Sequence, residues 1–126
     1  MPKVIVDLKG ANVVAGIQLS WSRPSSYANG TRMLDLAGFV VERAETAEPR
    51  PVFKRLTTVE VGDRDRFRQI KHMQYVDADT IVGAQYLYRV VSFTLDRYFS
   101  EPSNVVVVER TNSGEEQHAP LPATRR

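Results

Sequence analysis

The side chains that could carry catalytic chemistry are few and lie far apart in this sequence. The two histidines are His72, in a charged stretch, and His118, near the carboxyl end. A catalytic histidine needs a nucleophile and an orienting acid within hydrogen-bond reach, and nothing near either histidine in the sequence indicates such a set. The sequence has no cysteine, which excludes disulfides, thiolate catalysis and cysteine-ligated zinc or iron–sulfur sites. We therefore predict no enzymatic activity and no cofactor.

Two carboxylate pairs have the spacing i, i+2 that a metal-binding loop could use: Asp63 with Asp65, and Asp77 with Asp79. Calcium loops have denser acidic spacing and a closing glutamate. Two arginines interleave the first pair, which favours a solvated loop. Asp77 is better explained as a turn cap, because its carboxylate can accept backbone amide hydrogens. The sequence therefore predicts no metal site.

Composition indicates a globular protein with a hydrophobic core. The 126 residues are 42% hydrophobic and 25% charged, which fits one domain. The 17 basic and 15 acidic residues are mixed and give a net charge of +2, so no basic face supports nucleic-acid binding. No apolar run approaches the ~20 residues that span a bilayer. We therefore predict no direct membrane insertion of this segment. Its first four residues do not resemble a signal peptide, so composition leaves open an intracellular protein and one whose leader has been removed.

The stretch from Val82 to Ser92 organises the predicted fold. Gly83 permits a tight corner, and the residues after it alternate as a long strand with Tyr86 and Tyr88 on one face. A tyrosine three residues after a corner glycine favours a tyrosine corner, in which the ring joins the core and the hydroxyl bonds the preceding loop. The alternative is an ordinary strand that contains tyrosines. Tyr88 lacks the corner geometry, so its hydroxyl is expected to reach solvent or an end of the fold.

Further stretches of strand composition are separated by turn signals about every 8–12 residues. They are 4–8 (ended by a turn signal at 9–12), 13–21, 38–43, 52–61, 74–77 and 105–108. The stretch 67–73 is ambiguous between a loop and an edge strand. With no convincing helix, this pattern predicts an all-β, immunoglobulin-like sandwich of about seven antiparallel strands. A small closed barrel is the alternative.

Alternation within these strands predicts the core. The inward set of the second strand is Ile17, Leu19 and Trp21, and the only tryptophan should fill the middle of the core. Phe39 is expected on the inward face of the third strand. Leu34 and Leu36 are expected to fold back under the sheet. The principal core residues are thus predicted as Trp21, Phe39, Tyr86 and Tyr88.

With the strands placed, residues 4 to 110 resemble a fibronectin type III domain. The resemblance rests on the order and spacing of five pieces, since no single piece is specific. The pieces are Leu19-Ser20-Trp21, Gly38-Phe39-Val40-Val41-Glu42-Arg43, Tyr75-x-Asp77, Gly83-x-x-Tyr86-x-Tyr88-Arg89-Val90 and Ser100-x-Pro102-Ser103-Asn104-Val105. This resemblance implies one domain at 1–110. Residues 111–126, which offer little to bury, are expected to form a disordered tail or linker.

A weaker resemblance concerns the connection from Asn29 to Val41, which looks like that of small bacterial lipoproteins of this class. It implies an extracytoplasmic location: periplasmic, at the cell surface or secreted. Those lipoproteins carry a leader and a lipidated cysteine that this sequence lacks, so any lipid anchor would lie upstream of Met1.

The resemblance also implies a candidate binding surface. In this fold the loop between the second and third strands and the last hairpin lie at the same end of the sandwich. Loops at such an end often form binding sites. That end would gather Tyr27, Arg97, Tyr98 and Phe99, and aromatics with arginine are enriched in interface hot spots. Family members usually have glycine where Tyr98 stands, so this hairpin is expected to differ in shape or to display its rings. The alternative is that Tyr98 or Phe99 folds inward and seals the sandwich.

The functional hypothesis is a non-catalytic, extracytoplasmic protein-binding or spacer module, including the role of a subunit in a cell-envelope assembly. The alternative is a carbohydrate-binding accessory domain, in which exposed rings would stack on sugars. The two differ in geometry, because a sugar platform needs coplanar exposed rings, whereas a protein interface tolerates a mixed apolar patch. The predicted partner is therefore another protein, with carbohydrate as the alternative.

Overall fold

The computed structural model of the chain describes residues 2–27, 29–46, 49–62 and 72–112. Within these ranges the chain forms seven β-strands and no helix. The strands are β1 (Lys9–Val13), β2 (Gly16–Ser22), β3 (Leu36–Glu45), β4 (Lys54–Glu60), β5 (His72–Asp77), β6 (Gln85–Thr94) and β7 (Val106–Glu109).

The strands form two sheets that pack face to face. One sheet has the order β1-β2-β5 and the other has the order β4-β3-β6-β7. Every strand pair is antiparallel. The predicted all-β sandwich is therefore confirmed, and the closed barrel is not formed. No helix in the described part of the chain is long and apolar enough to cross a membrane.

The core lies between the sheets and is built from the predicted alternating residues. Trp21 in β2 is buried, and its ring meets the Phe39 ring of β3 edge-on, with centroids 5.4 Å apart and planes at 70°. Tyr86, Tyr88 and Val90 of β6 belong to the same buried cluster. Edge-to-face aromatic contacts stabilise beyond the area they bury, so this pair joins the two sheets at their centre.

The first strand lies later in the chain than the sequence predicted. Residues 4–8 form no strand, and β1 instead covers the predicted turn at 9–12. The side-chain amide of Asn104 satisfies the Leu8 backbone, because it accepts from the Leu8 nitrogen and donates to the Leu8 oxygen, both at 3.0 Å. Gly10 suits β1, since a Cβ there would lie 2.8 Å from the Val108 side chain. The glycine read as a turn signal is thus needed for close packing.

The two leucines before the third strand have different environments. Leu36 is buried as the first residue of β3, as predicted, but Leu34 is exposed. Met33 occupies the buried position instead, and its backbone nitrogen donates to the Ser25 oxygen at 2.9 Å. The prediction for Leu34 was therefore wrong, because the loop backbone and not sequence alternation decides which side chain turns inward.

Arg110, the last residue of the predicted domain, lies at the end of the sandwich that contains the turn between β1 and β2. Its guanidinium group donates to the carbonyl oxygens of Val13, Val14 and Gly16 at 3.0, 3.2 and 3.1 Å. The buried charge is thus satisfied by the turn between β1 and β2. The predicted tail lies outside the described residues from position 113 onward.

Candidate functional site

The connection after β6 folds into a tight hairpin tip over residues 95–99. Arg97 has a φ of 66°, in the left-handed region, which costs a residue with a side chain about 1 kcal/mol or more. Two hydrogen bonds to Thr94 hold the tip. The Thr94 carbonyl accepts from the Arg97 nitrogen at 2.9 Å, and the Thr94 hydroxyl oxygen accepts from the Tyr98 nitrogen at 3.1 Å. The altered hairpin expected from the missing glycine is therefore centred on Arg97, one residue before Tyr98.

The hairpin tip displays apolar side chains to solvent. Tyr98 is 64% exposed, Leu95 54% and Phe99 45%. The Phe99 ring packs on the Phe93 ring with centroids 5.5 Å apart, and the Arg97 guanidinium carbon lies 5.0 Å from the centre of the Phe93 ring. Phe93 lies three residues from the inward Val90, so this stack is on the outer face of the sheet. Neither Tyr98 nor Phe99 seals the core.

Tyr27 lies on the connection between β2 and β3 and reaches the same end. Its hydroxyl donates to the Asp35 carboxylate, and the Asp35 backbone oxygen accepts from the Leu95 nitrogen at 2.9 Å. Asp35 therefore joins Tyr27 to the hairpin tip, and the structure brings the four candidate residues to one end. We name this surface, made of Tyr27, Leu95, Arg97, Tyr98 and Phe99, the hairpin end.

The Tyr27 phenol provides a titration test of this link. Its hydrogen bond to Asp35 raises the pKa of Tyr27 to about 12, with burial and the charges of Asp35 and Asp96 acting in the same direction. Because folding raises the pKa, the bond stabilises the native state fully below the ordinary phenol pKa of about 10. The stabilisation is lost as pH rises through about 12.

We expect the absorbance difference between the wild-type protein and a Tyr27→Phe variant to show a phenolate titrating near pH 12. An Asp35→Asn substitution should move that pKa toward about 10, since it removes the charge while keeping the backbone contact. Titration of Tyr27 at its ordinary pKa in the wild-type protein would contradict the link.

A groove of about 370 Å³ opens beside the hairpin end on the outer face of the four-stranded sheet. Its apolar lining includes Val40, Phe93 and Phe99, and its charged lining includes Arg55 and Glu60 from β4. Gly38 suits this position, because a Cβ there would lie 2.5 Å from the Val59 backbone oxygen of β4 and 3.1 Å from the Phe93 ring. We call this feature the outer groove.

The described residues hold no group of three or more histidine, aspartate or glutamate side chains that could bind a metal ion. His72 is exposed at the start of β5. His118 and the pair Asp63 and Asp65 fall outside the described ranges. The hairpin end and outer groove therefore offer aromatic rings, the Tyr98 phenol, two guanidinium groups and the Glu60 carboxylate.

Asp77 is the centre of a buried polar cluster that the sequence only partly predicted. Its carboxylate accepts from the Asp79 backbone nitrogen at 3.2 Å, which confirms the turn cap. It also accepts from Arg43 at 2.8 Å and from the Tyr88 hydroxyl at 2.7 Å, and Asp77 is only 1% exposed. Burial, with the bond to Asp77, raises the pKa of Tyr88. The Tyr88 hydroxyl thus lies at an end of the sandwich, one of the two places expected for it, but it is buried and bonded there and does not reach solvent.

The tyrosine corner is confirmed at Tyr86. The hydroxyl oxygen of Tyr86 accepts from the Ile81 backbone nitrogen at 2.9 Å, within the loop that precedes β6. Arg43 lies with its guanidinium carbon 5.1 Å from the centre of the Tyr86 ring. Both tyrosine hydroxyls therefore bond within the fold, at the end of the sandwich opposite the hairpin end.

We expect the Tyr86→Phe and Tyr88→Phe substitutions to lower the free energy of unfolding by similar amounts. Tyr86→Phe leaves a backbone N–H unpaired and should cost about 1–3 kcal/mol, and Tyr88→Phe removes a bond to a charged group worth about 1.5–3 kcal/mol. Chemical denaturation would measure both. The matched control is Tyr75→Phe, because no hydrogen bond of that hydroxyl is seen within the described residues. A loss of unfolding free energy at Tyr86 or Tyr88 no larger than at Tyr75 would contradict the hydrogen bond assigned to that hydroxyl.

Comparison with solved structures identifies the fold. A pectate lyase from Erwinia chrysanthemi, solved with tetragalacturonic acid, matches with a TM-score of 0.58 at 22% identity over 84% of this chain. A Fn3-like protein from Clostridium thermocellum matches with a TM-score of 0.57 at 14% identity, over 86% of this chain and 93% of that one. The third fibronectin III domain of the human KIAA0343 protein matches with a TM-score of 0.54 at 11% identity, over 88% of this chain and 84% of that one.

The likenesses to the Fn3-like protein and to the human fibronectin III domain show a fibronectin type III fold, so the predicted resemblance is confirmed for the fold. The chain spans only 28% of the pectate lyase chain. No protein-family model and no curated protein matches the sequence.

Proposed function

We propose that this domain is a protein-binding module of an extracytoplasmic bacterial protein and that the hairpin end is its docking surface. The fibronectin type III fold itself indicates a structural or binding module. Because one fold hosts many functions, the argument for binding must come from the site.

The observation that carries the proposal is the exposure of three large apolar side chains on a hairpin tip held in one conformation. Tyr98, Leu95 and Phe99 are all about half exposed or more, while the Thr94 bonds and the Phe93 stack fix the backbone that presents them. A fixed patch loses little conformational entropy on binding. Aromatic side chains beside an arginine are also typical of interface hot spots.

Acidic carbohydrate is the second candidate, and two observations favour testing it. The matched pectate lyase was solved with tetragalacturonic acid, and Arg97 lies beside the exposed rings. Against it, the Phe99 ring already packs on Phe93 at an interplanar angle of 32°, which limits the free face available to a sugar. A peptide segment is the better fit to a mixed, uneven patch.

The extracytoplasmic location is supported by the resemblance of the Asn29–Val41 connection to that of bacterial lipoproteins. Cell fractionation with an antibody against the domain would test it. Recovery in the cytoplasmic fraction alone would contradict the location without affecting the docking surface.

Selection from a library of random linear peptides would test the docking surface. We expect peptides to be enriched on the wild-type domain and to bind a Tyr98→Ser, Phe99→Ser double variant about tenfold or more weakly. The matched control is an Ile81→Ser, Val82→Ser double variant, which removes two exposed apolar side chains at the opposite end. Both variants should remain folded, although the hairpin variant loses the Phe99 contact with Phe93 and should unfold at a somewhat lower denaturant concentration.

Three results would overturn the proposal. One is the absence of any enriched peptide. Another is equal binding by the hairpin variant. The third is calorimetric binding of tetragalacturonic acid that the hairpin substitutions abolish, which would favour the carbohydrate role instead.

A further inference from the structure

The outer groove is open to solvent and large enough to receive a side chain of a partner. Its volume of about 370 Å³ lies at the lower end of the roughly 300–1,000 Å³ of ligand pockets. Val40 and Phe93 are buried beneath it, and Phe99 of the hairpin tip forms one wall. An apolar side chain of a partner would therefore leave water as it enters.

The charged residues at the groove differ from the other arginines of the same sheet. Arg43 is paired with Asp77 at 2.8 Å and Arg89 with Glu42 at 2.6 Å. Arg55 and Arg97 are exposed, and neither has an acidic partner among the described residues. Glu60 is the acidic residue of the lining. Among the described residues, the groove thus offers two guanidinium groups without an ion-pair partner against one carboxylate.

The backbone conformation of Arg97 and its contact with the Phe93 ring position its side chain for binding a partner. Its backbone has a φ in the left-handed region, which glycine would adopt without strain. Its guanidinium carbon lies 5.0 Å from the centre of the Phe93 ring, which holds the group beside the groove, and the planar guanidinium can bind a carboxylate through two N–H groups. An observed backbone outlier at an exposed site supports a functional role for the side chain.

We propose that the partner segment bound here is a linear acidic peptide, with a large apolar side chain in the outer groove and a neighbouring carboxylate on Arg97 and Arg55. Charge complementarity selects this occupant, because a basic segment would meet two unpaired guanidinium groups. This inference rests on the proposed docking function and specifies the chemistry of the partner.

Sequencing the peptides enriched in the selection described above would test the proposed acidic specificity. We expect aspartate or glutamate next to a large apolar residue, and about tenfold weaker binding of such a peptide to an Arg55→Glu, Arg97→Glu double variant. Selection on that variant should enrich lysine and arginine instead. Affinity for the wild-type domain should fall as NaCl rises from about 50 mM to about 0.5 M.

Two further variants keep the test interpretable. Arg97→Gly removes the guanidinium group and suits the left-handed backbone, so it should weaken binding while the domain stays folded. Arg50→Glu is the matched control, because it reverses an exposed charge on the loop between β3 and β4, at the opposite end.

The outcomes separate the two proposals. Enriched peptides without acidic residues, or full binding by the Arg55→Glu, Arg97→Glu variant, would overturn the acidic specificity and leave the hairpin end as a docking surface. Absence of any enriched peptide would overturn both. Tetragalacturonic acid bound through Arg55 and Arg97 would assign the groove to an acidic sugar and also overturn the peptide inference.

Discussion

Replacement of Trp21 by alanine is expected to lower the free energy of unfolding by about 3–5 kcal/mol, because it empties the largest side-chain volume between the sheets. Trp21 is 2% exposed and contacts Phe39 across the sandwich. A domain of ordinary stability has about 5–15 kcal/mol in total, so this variant should be largely unfolded under mild denaturation. Chemical denaturation followed by circular dichroism would measure the loss.

The matched control for Trp21 is Tyr98→Ala, which removes a large aromatic side chain that is mostly exposed. We expect a change within about 0.5 kcal/mol, as for other surface substitutions. An unfolding midpoint that Trp21→Ala leaves unchanged would contradict the assignment of Trp21 to the core.

Replacement of Asp77 by alanine should cost a similar amount, about 3–5 kcal/mol, for an electrostatic reason. It leaves the Arg43 guanidinium without its carboxylate partner and the Tyr88 hydroxyl without an acceptor. Asp77 itself is buried and the Arg43 side chain is 19% exposed, so the guanidinium charge that remains is partly desolvated and lacks its carboxylate partner.

Asp79→Ala is the control for Asp77, because Asp79 contacts Arg43 through its backbone oxygen and its side chain is exposed. It should change the free energy of unfolding by about 0.5 kcal/mol or less. Equal losses at the two positions would show that the Asp77 cluster contributes no more than a surface carboxylate.

The sequence predicted the fold correctly where the signal is a pattern within a single strand or its adjacent turn. Alternation alone identified the inward residues of β2 and β6, and the Gly83-to-Tyr86 spacing identified the tyrosine corner, because these signals are local. The error at β1 has a different cause. Gly10 was read as a turn signal, but its role is to admit the Val108 side chain, a contact between residues far apart in sequence.

The same distinction applies to the polar residues. Asp77 was predicted as a turn cap, which needs only its neighbour Asp79. Its bonds to Arg43 and Tyr88 depend on the pairing of β3 with β6, in which those two residues are directly opposite. That register brings Arg43 and Tyr88 together, and the packing of the two sheets places Asp77 of β5 against them, so sequence reasoning missed the cluster.

The hairpin end was predicted as a set of residues, while the outer groove was not. Tyr27, Arg97, Tyr98 and Phe99 followed from the loop order of the resembled fold. The groove depends on Phe93 crossing Gly38 and on Arg55 of β4 facing the hairpin tip. These are contacts between three strands, and no pattern within one strand encodes them.

The central claim is that the hairpin end and the outer groove form one docking surface. The most direct test is to map, by amide chemical shifts of the isotope-labelled domain, where a selected peptide binds. We predict shifts at Ala37, Val40, Thr58, Leu95 and Phe99, which line the groove, and none at Val14 and Ile81 at the opposite end. Shifts concentrated at Val14 and Ile81, with the groove amides unmoved, would contradict the claim.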